Sequence, residues 1–341
     1  MAADAQEKSA KANVSATETP ASKLIESTKS LGGGGVGLAE GVHIYTGLVL
    51  WHRGRGGRAR SRSMAEMYGR MMKTAANLLG VGAANISKTY FCGCLSPLEV
   101  LQRHSLYGLL SKRLHREEAA KWADELIRGS SSGVLNYATL HDVNQLSGLK
   151  WCVQCLEDDI KRDGFGSWYV LHQAPACWVC HKHSIPLLSK CLACNSDLDD
   201  GNSFALPGES CGKCGSSQFA GVDLIYPEVH RLFANDLAAV SMGEVDYVSP
   251  SSWRLQMRDV AEVLSLRNEY PFQFLFKECR ALGIQEYRSH SRRSENLIKV
   301  PHNRTLDKYV NGGRVPISMV EALILRRILN GSYRPHLLVA S

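Results

Sequence analysis

The reading of this chain turns on Cys191-Leu-Ala-Cys194 and, after sixteen intervening residues, Cys211-Gly-Lys-Cys214. Each Cys-x2-Cys turn presents two thiolates on one side, and two turns at this spacing are the pattern that grips a single tetrahedral ion at about 2.3 Å from each sulfur. Asn195-Ser196-Asp197 and Gly212-Lys213-Cys214-Gly215 supply the turn-forming residues such a tight backbone needs. Upstream, Cys152-x2-Cys155 is followed after twenty-four residues by Cys180-x2-His183, a second four-donor set. Here the spacing leaves alternatives: Cys177-x2-Cys180 makes an all-cysteine set, and His181 competes with His183. In every version four protein donors fill the ion and leave no position for an activated water. Both sites therefore read as structural Zn2+ sites, two per chain, whose binding energy is folding energy. His172, beside Gln173, reads as a satisfied structural histidine, and Cys92, Cys94 and Cys279 read as packed thiols.

Eight of the eleven cysteines lie between residues 150 and 220, among Gly, Asn, Ser and Pro and without the apolar periodicity of a conventional core. The flanking segments are helical in pattern. Met67, Met71, Ala75 and Leu78 recur three or four apart before Gly80, and Leu106, Leu109, Leu110 and Leu114 suggest a second helix. Ala119, Trp122, Ala123, Leu126 and Ile127 share one face of a third, from Arg116 to Arg128, with Gly129 as its stop. Periodicity returns at Val229, Leu232, Phe233, Leu237 and Val240, then at Trp253, Met257, Val260 and Leu264. Ser318 and Glu321 have capping-box spacing ahead of Leu323, Ile324 and Ile328. The expected fold is mainly α with small zinc-ribbon and zinc-knuckle β elements. Its layout is a disordered leader (1–63), a helical N-terminal domain (64–149), a tandem zinc-finger domain (150–220) and a helical C-terminal region (221–341).

Composition sets the outer limits. With 341 residues, 44% hydrophobic and 21% charged, the chain is neither a disulfide-stapled miniprotein nor wholly disordered or collagen-like. No run of about 18 apolar residues predicts a membrane span, and the first thirty residues have no apolar signal core. A cytoplasmic, reducing compartment is the expectation, and it favours metal over disulfides. The net charge of +7 resolves into +4 over 1–63, +6 over 281–341 and −3 between them. In the leader, Arg53, Arg55, Arg58, Arg60 and Arg62 alternate with Gly and Ser and read as a solvated stretch. In the last third, Arg288, Arg292, Arg293, Lys299, Arg304, Lys308, Arg314, Arg326 and Arg327 accompany Tyr287, Tyr309 and Tyr333 and are candidate nucleic-acid contacts. Residues 305–329, with a Gly312-Gly313 turn, have the outline of a helix-turn-helix.

The combination of Trp151-Cys-Val-Gln-Cys155 with Asp158-Asp159, then Gly166-Ser-Trp168, His172-Gln173-Ala-Pro175, Val179-Cys-His-Lys-His183 and Pro186-Leu187-Leu188, resembles the TniQ family, which includes the TnsD target selectors. The similarity extends over roughly residues 95–215, with His104-Ser-Leu-Tyr-Gly108 preceding the finger; the family's usual entry to its first helix is missing before Met64. The resemblance implies a first metal site of Cys152, Cys155, Cys180 and His183, with Cys177 spare, and a second of Cys191, Cys194, Cys211 and Cys214. It also implies a non-enzymatic adaptor in transposition, a bacterial, nucleoid-associated protein linking target DNA, or a CRISPR-guided effector complex bound by a homodimer, to an AAA+ ATPase regulator of the transposase. No Gly-x4-Gly-Lys-Ser/Thr loop is present, so ATP hydrolysis falls to the partner. Two other classes are weighed against it: a zinc-finger transcriptional regulator binding duplex DNA alone, and a zinc-dependent nuclease or hydrolase built on His172, His181 and His183.

Overall fold

In a computed structural model of the chain, residues 37–56, 59–72, 76–130, 148–175, 177–198, 204–224 and 227–244 are described, together with Leu323. The first element is one the leader's composition concealed. Ile44-Tyr-Thr-Gly-Leu-Val-Leu-Trp51 opens helix α1 (Ile44–Gly54), and all eight of these residues are buried. His43 caps it, its Nδ1 accepting from the Tyr45 N–H at 3.1 Å. The expectation of a disordered leader is therefore corrected for 37–56 and 59–63, because burying this apolar run offsets its ordering cost. Residues 1–36 lie outside the described residues. Three of the five arginines are engaged: Arg53 pairs with Glu209, Arg55 and Arg62 pair with Glu66, and Arg55 lies 4.2 Å over the Trp51 ring, while Arg58 lies outside the described residues.

Helix α2 (Arg60–Tyr68) stops at Gly69, which turns left-handed at φ 72°. The helix expected from Met64 to Gly80 is thus broken after Tyr68, and α3 (Ala83–Thr89) starts afresh. Helix α4 (Pro97–His104) was not anticipated. It starts with a full capping box, Ser96 and Glu99 each accepting from the other's N–H, and Pro97 at its first position. The leucine-rich helix shrinks to α5 (Tyr107–Leu110) followed by a 3-10 turn (Ser111–Arg113). Helix α6 (Arg116–Arg128) matches its expected bounds and ends at Gly129, φ 79°.

The cysteine-rich part adds α7 (Val153–Asp163), a 3-10 turn (Leu171–Gln173) and two short antiparallel strands, β1 (Leu188–Cys191) and β2 (Phe219–Gly221). Helix α8 (Pro227–Met242) buries Phe233, Leu237 and Val240, and Lys112 Nζ binds the carbonyls of Val240 and Ser241 at its end, at 2.6 and 2.9 Å. The helix expected over Trp253–Leu264, the helix-turn-helix over 305–329 apart from the buried Leu323, and all nine C-terminal basic candidates lie outside the described residues.

Residue 150 is not a boundary of packing. Val42 bridges Tyr169, the His43 N–H reaches Trp168 O at 2.6 Å, and the Trp168 N–H reaches Thr46 Oγ1 at 2.9 Å. Trp168, Leu48, Tyr68, Leu101 and Cys180 belong to one continuous buried cluster. Among the described residues the regular structure is mostly helical, and the cysteine-rich part is packed into the helical core.

Candidate metal centres

Three of the four donor pairs sit in the same backbone turn. At Cys180, Cys191 and Cys211 the first residue's N–H donates to the carbonyl five residues on (Ile185, Ser196, Ser216), at 2.9, 2.9 and 2.8 Å. The N–H four residues on (Ser184, Asn195, Gly215) returns to the first residue's carbonyl, each at 2.8 Å. That fourth residue is left-handed in every case, with φ of 56°, 51° and 75°. The turn aims side chains i and i+3 to one side. For Ser184 and Asn195 the left-handed backbone costs on the order of 1–2 kcal/mol each, a strain that persists only where something pins the turn.

This repeated geometry separates the alternatives that spacing left open. The turn beginning at Cys180 carries His183 at i+3. Cys177, 2% exposed, instead points its thiol at Val179 O, 3.5 Å away, and burial pushes that thiol up to about 11. The fourth pair comes from a helix. Cys152 is the N-cap of α7 and Cys155 lies in its first turn, where the positive end of the helix favours thiolate. Leu156 anchors α7 against two glycines: a Cβ on Gly166 would fall 2.4 Å from its Cδ1 and 2.9 Å from Pro207 O, and one on Gly208, itself at φ +83°, 2.5 Å from its Cδ2.

The donor atoms of Cys152, Cys155, Cys180 and His183 all lie within 4.8 Å of one another, as do those of Cys191, Cys194, Cys211 and Cys214. Metal–sulfur bonds of about 2.3 Å and metal–nitrogen bonds of about 2.0–2.1 Å give tetrahedral edges of roughly 3.8 Å between sulfurs and 3.6 Å from sulfur to nitrogen. In the first set Cys155 and Cys180 are 3.7 Å apart, and His183 Nδ1 stands 3.4, 3.4 and 3.6 Å from Cys152, Cys155 and Cys180. In the second, Cys191–Cys214 and Cys194–Cys211 are 3.5 and 3.7 Å. Both sets fit a tetrahedral ion.

The surroundings support the donors. Asp158, one turn along α7 from Cys155, places Oδ2 3.3 Å from His183 Nε2, the carboxylate–histidine contact that orients a metal-bound imidazole. Buried Asp159 accepts from the Ser167 N–H, Arg162 and the Tyr169 hydroxyl and ties α7 to the following loop. Gln173 pairs with both backbone groups of Lys150 at 2.9 Å, holding the extended segment that enters Cys152. Lys150 is itself buried, its Nζ on Ala174 O and over the Trp178 ring, and desolvation lowers it to about 8. In the second set the Ser196 hydroxyl, 2.8 Å from Cys194 Sγ, holds that thiol below its ordinary value.

Sequence reasoning missed two contacts here, Asp158 with His183 and Ser196 with Cys194; only the three-residue step from Cys155 pointed to the first. Cys92 and Cys94 are exposed, which corrects the expectation of packed thiols: they follow Phe91 in a turn whose central residues, Cys92 and Gly93, are both left-handed. Cys279 lies outside the described residues. His172 is buried yet has no hydrogen-bond partner at either ring nitrogen among the described residues.

A match to the TniQ family covers residues 55–187. Over these residues the chain is similar to the TniQ family. The TniQ match begins earlier than the sequence resemblance and stops sooner, so it contains the whole first donor set and ends before Cys191. The second set rests on its own spacing and turns. No curated protein matches the chain. The TniQ similarity associates this chain with target selection in transposition. Among the described residues no helix is long and apolar enough to cross a membrane.

Proposed function

We propose that each four-donor set holds one structural Zn2+ and that this TniQ-like chain is a non-enzymatic adaptor for transposition target selection. The observation that carries the reading is the pair of donor sets with tetrahedral edges, Cys152/Cys155/Cys180/His183 and Cys191/Cys194/Cys211/Cys214. Four protein donors occupy every position of each ion, the arrangement of a closed structural site. Bound there, Zn2+ supplies cross-linking and no chemistry at an open position. The ion would lock the Cys180 turn to α7 and the Cys191 turn to the Cys211 turn, giving rigidity to a segment with little apolar core of its own.

The adaptor links target DNA, or an RNA-guided effector complex, to an AAA+ ATPase that regulates the transposase, as the TniQ similarity suggests. The basic residues from Arg288 to Arg327 are the proposed phosphate contacts. The test is co-elution of the zinc-loaded chain with the ATPase of its own transposon, with and without target DNA. A stable complex supports the adaptor. Binding to duplex DNA with no association to the ATPase under either condition would replace it with a self-sufficient DNA-binding regulator.

A further inference from the structure

His172 is 1% exposed, and neither of its ring nitrogens has a hydrogen-bond partner among the described residues. A buried imidazole left unpaired is costly, and such a group calls for a specific reason. The reason lies beside it. A ring nitrogen of His172, Cys180 Sγ and a ring nitrogen of His181 all lie within 4.8 Å of one another, and Cys180 is also a donor of the first four-donor set. The ring is held by the 3-10 turn Leu171–Gln173 and by edge contact with Tyr169, 5.4 Å between centroids. Gln173 fixes that turn against Lys150.

Charge supplies the rest. Three thiolates and one divalent ion leave the first site with a net charge of −1, and Cys152, Cys155 and Cys180 are all buried, with Cys180 fully enclosed. Excess negative charge in a dry site is stabilised by N–H groups aimed at the sulfurs. His183 has Asp158 on its outer side. The inner side, at Cys180, has His172.

We propose that His172 is a positioning residue for the first metal site, donating a ring N–H to the Cys180 thiolate once the ion is bound, and so slowing both metal release and attack on that sulfur. This rests on the metal assignment proposed above. The test uses the full chain loaded with zinc, in wild type, His172→Phe, which keeps a flat ring and loses the N–H, and His172→Asn, which keeps an N–H. Metal content is read by elemental analysis, metal release with a chromophoric chelator, and Cys180 alkylation by peptide mapping.

The expected result is two ions per chain in wild type and His172→Phe. Release and Cys180 alkylation should be roughly tenfold faster in the Phe variant and partly restored in the Asn variant. Unchanged rates in the Phe variant, with two ions bound, would overturn the proposal and leave the metal assignment standing. A third ion per chain that disappears with His172 would overturn it in another way, making His172 a ligand. A wild-type chain in which Cys152, Cys155, Cys180 and His183 hold no ion would overturn both readings. Should the Phe variant fail to fold, cadmium-loaded wild type decides: a His172 ring N–H protected from solvent exchange and coupled to the metal through Cys180 supports the proposal, and a freely exchanging ring N–H contradicts it.

Discussion

Single side chains make the sharpest statements. Cys194→Ser is expected to lower the zinc content from two ions per chain to one, whereas Cys177→Ser, outside both donor sets, should leave two; elemental analysis of the purified variants checks both. His43 gives a pH signature independent of the metals. It is fully buried, its Nδ1 accepts the Tyr45 N–H and its Nε2 donates toward Leu78 O, and desolvation lowers its pKa to about 4 against 6.5 in the unfolded chain. Because the folded value is the lower one, its contribution is complete above pH 6.5 and is lost as pH falls from 6.5 toward 4, by up to about 3 kcal/mol. His43→Asn keeps an N-capping side chain without the titration. Its urea midpoint should therefore fall less steeply than that of wild type across this window. At this scale the sequence was most legible where chemistry fixes spacing: Cys191, Cys194, Cys211 and Cys214 could be read directly, while the choice of His183 over His181 needed the turn that Ser184 closes.

Helices were legible where one face is wet. Arg-Glu-Glu-Ala-Ala-Lys-Trp-Ala-Asp-Glu-Leu-Ile-Arg shows its stripe, and α6 runs over those thirteen residues. Helix α1 shows none, because Ile44 to Trp51 is buried all round and includes Thr46, Val49 and Gly47, poor helix formers that tertiary contact overrides. Gly47 is there because of a neighbour: a Cβ would lie 2.9 Å from the Tyr90 ring. Turn glycines allow a graded test. At Gly129, φ +79°, a Cβ meets nothing closer than 3.9 Å, so Gly129→Ala should cost about 1 kcal/mol, the left-handed backbone alone. At Gly82, φ +83°, it would sit 2.1 Å from Tyr68 O, and Gly82→Ala should cost several times as much. Denaturant midpoints of the two variants, with metal content held equal, decide between this order and its reverse.

For the molecule as a whole, the shared core carries the consequence. Arg53 reaches across to Glu209 at 2.6 and 2.5 Å, and Trp168 is hydrogen-bonded from both sides, to the His43 N–H and the Thr46 hydroxyl on one and to the Ala205 carbonyl on the other. Stripping metal with a strong chelator should therefore disturb the helical part as well as the cysteine-rich one: the near-ultraviolet signal of Trp168 and Trp51 should change along with zinc loss, in one transition. Two separated transitions would mean that the parts fold independently. The four-part layout was the least legible level, since contacts such as Val42 with Tyr169 join residues far apart in the chain and leave no local mark. The seven residues between His183 and Cys191 carry a practical corollary. With both proposed ions in place, strand β1 would be bolted at its far end by one and, a few residues before its start, by the other, so slack introduced at either bolt would travel along it to the bridge with Trp151. A fragment trimmed to residues 55–187 would keep one bolt, discard the other, and leave Trp168 facing water where α1 had been.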